Sequence, residues 1–343
     1  MEKLSIENFG PIKEADVNIK DINIFIGTTS SGKSTVAKLM SIFKSTSLRA
    51  AINFERFAKL LADYNIDFEI GRLTKIRYEC GSSFIEVKGK TIHTNYPVTD
   101  ITNAYNPIYI PAERIFFSTI SQSIFSLMSN NVSLPKWIID FGAKFEQARN
   151  SIKHFSVDFL KASYEYDDST DYITLPGNVK IKLSQASSGL QSVIPLILVI
   201  QFNTEPNKKV EDFFIIEEPE LNLYPSSQKD LIEYIIDRIN QSSDKIVITT
   251  HSPYLLTSID NLIQANNVAG KNKSTDVSNE VKKLIPSSSW LDFNNISCYF
   301  FDKGGCKSTL DEENKSIGPS NIDDISLEIS DTFEKLLVLK YPS

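Results

Sequence analysis

The chain has 343 residues, 41% of them apolar, 10% aromatic and 23% charged, which supports a large folded core and excludes a disordered protein. A formal net charge of −7 argues against a protein held on nucleic acid by overall electrostatics and leaves only a local basic patch for such a partner. Three irregularly spaced cysteines without a CxxC pair and three histidines exclude a disulfide framework and a His-rich metal centre, and the lack of a signal-peptide core or a bilayer-length apolar run predicts a soluble, cytoplasmic protein with no membrane contact.

Leu4 to Ile19 alternates apolar and polar residues about a turn at Asn8-Phe9-Gly10-Pro11, which predicts an antiparallel strand pair. Asp21 to Ile26 is a β-branched run ending at Gly27, and beyond a polar turn Val36, Leu39, Met40 and Phe43 fall at helical spacing. Between strand and helix lies Gly27-Thr28-Thr29-Ser30-Ser31-Gly32-Lys33-Ser34, which matches the phosphate-binding pattern G-x-x-x-x-G-K-[ST] in the context its mechanism requires. Gly27 and Gly32 let the backbone wrap close to phosphate oxygens, and Thr28, Ser30, Ser31 and Thr35 complete the cradle at the helix N-terminus. Lys33 reaches the β- and γ-phosphates in this reading, and the Ser34 hydroxyl binds Mg²⁺.

Residues from about 65 to 110 read as β-rich. From Ile115 to Phe155 the pattern turns helical, with Ile138, Phe141 and Phe145 on one face, Pro135 opening a helix, and a separate helical lobe as the expectation. Strands return near Ile173 to Leu183. Ser187-Ser188-Gly189-Leu190-Gln191 then opens a helix whose N-terminus favours an anion, and Pro195 is expected to kink or shorten it. Phe213 to Ile216 is a short buried strand ending in Glu217 and Glu218; one carboxylate suits a metal ion and the other an attacking water. Ile246 to Thr249 leads into Thr249-Thr250-His251-Ser252-Pro253, a histidine at the end of a β-branched strand 33 residues after Glu218. From about Ser274 a loop rich in Ser, Asn and Lys precedes one or two strands around Ile296 to Phe301 and a terminal helix near Ser326 to Leu339.

These motifs, in this order, resemble the ABC-type ATPase head of the OLD-like and RecF/SMC-like group, especially the branch with an E-P-E-L-N-L-x-P segment and T-H-S-P at the switch. The likeness runs from Leu4 to Pro253. Phe213 to Glu218 resembles a Walker B element, Ser187 to Gln191 a degenerate L-S-G-G-Q signature, Pro219 to Pro225 the D-loop, and His251 the switch histidine. The resemblance implies an α/β P-loop fold with a mixed central sheet, an N-terminal antiparallel β lobe and a helical lobe. It implies ATP and Mg²⁺ as ligands, Glu217 and Ser34 at the metal, and Lys33, Glu218 and His251 in catalysis. It also implies a homodimer or higher even-numbered oligomer in which Ser187, Ser188, Gly189 and Gln191 hold the other subunit's nucleotide. The boundaries expected are a β-rich lobe with the P-loop at 1–112, a helical lobe at 113–160, the signature, Walker B and switch region at 161–273, and a strand/helix extension at 274–343.

Three departures stand out: Glu217 replaces the usual Asp, the signature lacks its leading Leu and one Gly, and no Q-loop glutamine is evident. Tyr109 to Arg114 occupies that place, with Glu113 or Arg114 as substitutes or as a structural pair. Too few residues follow Ser274 for a TOPRIM nuclease domain, and no sustained heptads supply a coiled coil. The resemblance thus implies a regulatory or sensor ATPase of the kind found in bacterial anti-phage defence, working through a separate effector protein. A RecF/SMC-like ATP-dependent DNA clamp is the alternative, and a transporter subunit is disfavoured by the helical region between Lys33 and Ser188.

Overall fold

The computed structural model describes residues 2–97, 104–120, 134–204, 211–242, 244–271, 275–318, 330–337 and 340. Strands β1 (Glu2–Phe9) and β2 (Ile12–Ile19) form the expected hairpin, with Phe9 opposite Ile12 and positive φ at Asn8 and Gly10. β3 (Ile22–Gly27) is buried along its whole length and runs into α1 (Lys33–Lys44). Its residues Val36, Leu39, Met40 and Phe43 are fully buried, as their spacing predicts.

Short helices α2 (Thr46–Arg49) and α3 (Phe54–Asp63) follow, the latter capped by the Asn53 side chain. Then come β4 (Lys75–Cys80), β5 (Ser83–Lys88), β6 (Thr91–Thr94) and β7 (Asn106–Ile110). Helices α4 (Ile115–Ile120) and α5 (Lys136–Ser151) lead into a small antiparallel sheet of β8 (His154–Val157), β9 (Ala162–Asp167), β10 (Thr170–Leu175) and β11 (Val179–Lys182). The rest of the chain supplies α6 (Ser188–Asn203), β12 (Asp212–Glu217), α7 (Pro225–Gln241), β13 (Lys245–Thr250), α8 (Pro253–Lys271), α9 (Thr275–Leu284), β14 (Ile296–Asp302) and β15 (Gly305–Ser308).

Eleven strands form the main sheet in the order β6-β5-β4-β1-β2-β15-β14-β3-β13-β12-β7. The run from β14 to β7 is parallel, and the N-terminal strands are antiparallel, so the fold is α/β with a mixed sheet. The period-two alternation of β12 serves two cores. Phe213 and Ile215 face α1, while Phe214 and Ile216 face α6, α7 and α8. Ile138, Phe141 and Phe145 of α5 join the second core. Among the described residues no helix is long and apolar enough to cross a membrane.

Two local details depart from expectation. Of the kink or shortening expected at Pro195, shortening does not occur, since α6 continues to Asn203. The carbonyl that a residue with an N–H at 195 would have bonded is that of Gln191, and it accepts the Ser118 hydroxyl of α4 at 2.6 Å instead. The stretch after Ser274 is helix α9 rather than a loop; Val277, Val281 and Leu284 recur at i, i+4 and i+7, and Asp276 in its first turn and Lys282 and Lys283 in its last complement the helix dipole. Of the terminal helix predicted from Ser326 to Leu339, residues 330–337 are described and all are helical; the rest lies outside the described residues.

Candidate nucleotide-binding site

The loop between β3 and α1 turns through positive φ at Gly27 (148°), Ser30 (59°) and Gly32 (102°). Such turns gather successive N–H groups into an anion-binding concavity at the start of α1. Gly27 has a second reason to be glycine: a Cβ there would lie 2.0 Å from the Phe301 carbonyl oxygen of neighbouring β14. Lys33 is 5% exposed, and its ammonium donates to the carbonyls of Gly27 (3.0 Å) and Thr28 (2.8 Å). Burial pulls its amine down to about 8, opposed by the nearby carboxylates of Glu218, Glu220 and Glu217.

Those carboxylates come from the end of β12. Glu217 is 7% exposed, pairs in register with Thr249, and has a carboxylate oxygen with no hydrogen-bond donor. Burial, and then the Glu217 carboxylate beside it, hold the Tyr109 phenol well above its ordinary range. Glu218 has a left-handed backbone (φ 43°), strain of about 1 kcal/mol that clusters at functional sites. Its N–H donates to the Thr249 carbonyl at 2.8 Å, and its carboxylate lies 3.5 Å from Nε2 of His251. Glu220 is buried beneath the pair, accepting the Thr250 hydroxyl (2.6 Å) and the His251 N–H (2.9 Å) on one oxygen.

The donor set fits Mg²⁺ chemically. A buried carboxylate oxygen lacks a partner, a half-buried Ser34 hydroxyl stands on the first turn of α1, and both are the hard oxygen ligands this ion takes. Among the described residues no group of three or more His, Cys, Asp or Glu forms a metal cage. A Mg²⁺ ion held there would take its remaining ligands from phosphate oxygens and water, as is usual for this ion.

The signature-like segment is built differently. Ser187 caps α6, its hydroxyl accepting from the Leu190 N–H, and both Ser187 and Ser188 are exposed. Gly189 is pressed against the turn after β12, where a Cβ would come within 2.9 Å of the Asn222 carbonyl oxygen. The Gln191 amide folds back, donating to the carbonyls of Ala186 (2.7 Å) and Ser184 (3.2 Å) and accepting the Thr119 hydroxyl (3.3 Å). Among the described residues no hydrogen bond joins Ser187 to Gln191 with Gly27 to Thr35. One chain thus gathers Lys33, Glu217, Glu218 and His251 and leaves Ser187 and Ser188 facing outward.

Arg114, one of two residues read as a stand-in for a Q-loop glutamine, has another engagement. It is fully buried, and its five N–H groups donate to five backbone carbonyls: Ser192 (3.0 Å), Pro111 (3.1 Å), Glu217 (2.9 Å), Glu218 (2.8 Å) and Pro219 (3.1 Å). Burial lowers its guanidinium to about 10, against the pull of Glu220, Glu218, Glu113 and Glu217. Glu113 is exposed. Sequence reasoning placed Glu220 only within the D-loop-like segment and Tyr109 only within the stretch standing for the Q-loop, because nothing in their spacing shows that they meet the end of β13 and Glu217.

A family model described as AAA ATPase domain matches residues 1–122 and 114–256. No curated protein matches the sequence. Among solved structures, the SMC head domain from Thermotoga maritima is 13% identical, with 75% of this chain and 90% of that chain covered and a TM-score of 0.40. The Smc head domain with an extended coiled coil bound to the C-terminal domain of ScpA, derived from Pyrococcus furiosus, is 13% identical, with 96% and 100% covered and a TM-score of 0.44. The recombination mediator protein RecF is 10% identical, with 89% and 97% covered and a TM-score of 0.40.

Proposed function

Because the chain belongs to the AAA ATPase domain family, we propose that it is a Mg²⁺-dependent ATPase of ABC type, with ATP in the Gly27 to Thr35 loop and Glu218 as the residue that orients and polarises the attacking water. The supporting observation is the convergence on one P-loop of Lys33, the partnerless oxygen of Glu217, and the Glu218–His251 pair at 3.5 Å. Lys33 exchanges its carbonyl contacts for phosphate oxygens, and His251 stands where it steadies Glu218 and the γ-phosphate. Ser34 and Glu217 would hold Mg²⁺, which would supply charge neutralisation at the phosphate oxygens. Glu218 acts on the proton of water, a contribution of roughly 10²–10⁴ in rate.

The outward-facing Ser187 and Ser188 at the start of α6 support a dimer in which each signature helix meets the other subunit's nucleotide. The test is the mass in solution of the Glu218→Gln variant with and without ATP–Mg²⁺. A shift to an even-numbered assembly is expected, and Lys33→Ala should abolish both nucleotide binding and the shift. A mass unchanged by ATP would end the dimer reading, and equal turnover in Glu218→Gln and the unmodified chain would remove Glu218 from its role. The finer assignment, a sensor or regulatory subunit acting through a separate effector in anti-phage defence, is supported by the resemblance of the E-P-E-L-N-L-x-P and T-H-S-P segments alone. ATP-dependent binding of DNA would favour the repair-clamp alternative over it.

A further inference from the structure

The short segment from Pro111 to Thr119 stands with one foot on α6 and the other on the catalytic turn. On α6, the Ser118 hydroxyl holds the Gln191 carbonyl, Thr119 holds the Gln191 side chain, and Arg114 holds the Ser192 carbonyl. On the turn, the same guanidinium binds the carbonyls of three consecutive residues, Glu217, Glu218 and Pro219. A guanidinium is a rigid planar fork, so a displacement of one set of carbonyls is passed to the other. A lysine, with three donors on a flexible stem, cannot span both sets. The left-handed backbone of Glu218 needs such an external hold, because a non-glycine residue leaves that conformation when its surroundings relax.

Resting on the ATPase reading above, we propose that Arg114 is a positioning residue that ties the start of α6 to the Glu218 turn, so that hydrolysis responds to what docks on Ser187 and Ser188. Arg114 itself touches no nucleotide. Its contribution belongs to turnover and not to binding.

The full chain is assayed first for ATP turnover; no turnover would defeat the ATPase reading itself, separately from anything about Arg114. With turnover established, Arg114→Lys is expected to lower kcat about 100-fold while KM changes less than about 3-fold, the scale on which a small misplacement of a catalytic group acts. In a Glu218→Gln background the same change should cost less than about 3-fold more, because residues acting as a unit are not additive. An unchanged kcat, a rise in KM alone, or fully multiplicative losses in the double variant would each overturn the proposal. Should Arg114→Lys fail to unfold cooperatively, Ser118→Ala decides: it loosens only the α6 foot and should lower kcat roughly 3- to 10-fold at unchanged KM, whereas an unchanged kcat there would overturn the tie.

Discussion

Lys33, the residue proposed to hold phosphate, illustrates how a charged side chain is buried at a cost to the fold. Its amine falls from 10.5 to about 8 because it is buried more than the nearby carboxylates compensate. Below pH 8 the folded chain carries a disfavoured charge; between about 8 and 10.5 the unfolded chain binds more protons, so stability rises with pH across that window. Lys33→Met is therefore expected to stabilise the nucleotide-free protein by about 1–2 kcal/mol near neutral pH and to remove the rise, as measured by urea unfolding at pH 7 and pH 10. A less stable variant at pH 7 would mean that the hydrogen bonds to Gly27 and Thr28 outweigh the burial. Gly27 answers to two demands at once, a positive φ in the loop and the close approach of Phe301. Gly27→Ala should cost more than about 3 kcal/mol, since the added Cβ meets main chain at 2.0 Å and not a side chain that can swing away; a thermal midpoint within a few degrees of the unmodified chain would contradict the close approach of β3 and β14.

Helix α6 is the element on which local sequence preference and tertiary structure disagree. Ser188 to Asn203 contains a proline in mid-helix, yet the helix is continuous and buried from Val193 to Ile200. Tertiary contact supplies what the backbone lost: Ser118 takes up the Gln191 carbonyl. Ser118→Ala should therefore cost about 1–2 kcal/mol as a buried carbonyl loses its donor, and less in a Pro195→Ala background, where the helix can make its own bond. A double-mutant cycle in urea checks this, and equal costs in the two backgrounds would separate Ser118 from the proline. Gly189, two residues before Gln191, shows the same dependence on a neighbour, since it is the Asn222 carbonyl that leaves no room for a side chain there.

The whole sheet depends on strands that lie far apart in the chain. β14 pairs with β3, and β15 touches β2 through the single bridge Gly305 to Glu14, so the C-terminal hairpin joins the parallel strands to the N-terminal antiparallel ones. A chain ending at Lys271 keeps the P-loop, the two glutamates and His251, but exposes the edges of both half-sheets. It is expected to lose cooperative unfolding and nucleotide binding together; a sharp melt with full affinity would show that α1 holds the halves without the hairpin. By itself the sequence determined the P-loop between strand and helix, the buried run ending in Glu217 and Glu218, the strand leading into Thr249 to Pro253, and most of the strands and helices. Each of these follows from spacing, side-chain chemistry and turn residues within a few positions of one another. Only the tertiary structure decided that Arg114 clamps backbone instead of facing a nucleotide, that Glu220 holds the switch strand, that Gln191 turns back on its own helix, and that α6 survives Pro195. Those outcomes rest on contacts between residues as much as 105 positions apart, such as Arg114 with Pro219, and which buried donor meets which carbonyl is settled by packing and the need to satisfy every buried polar group, not by the order of residues along the chain.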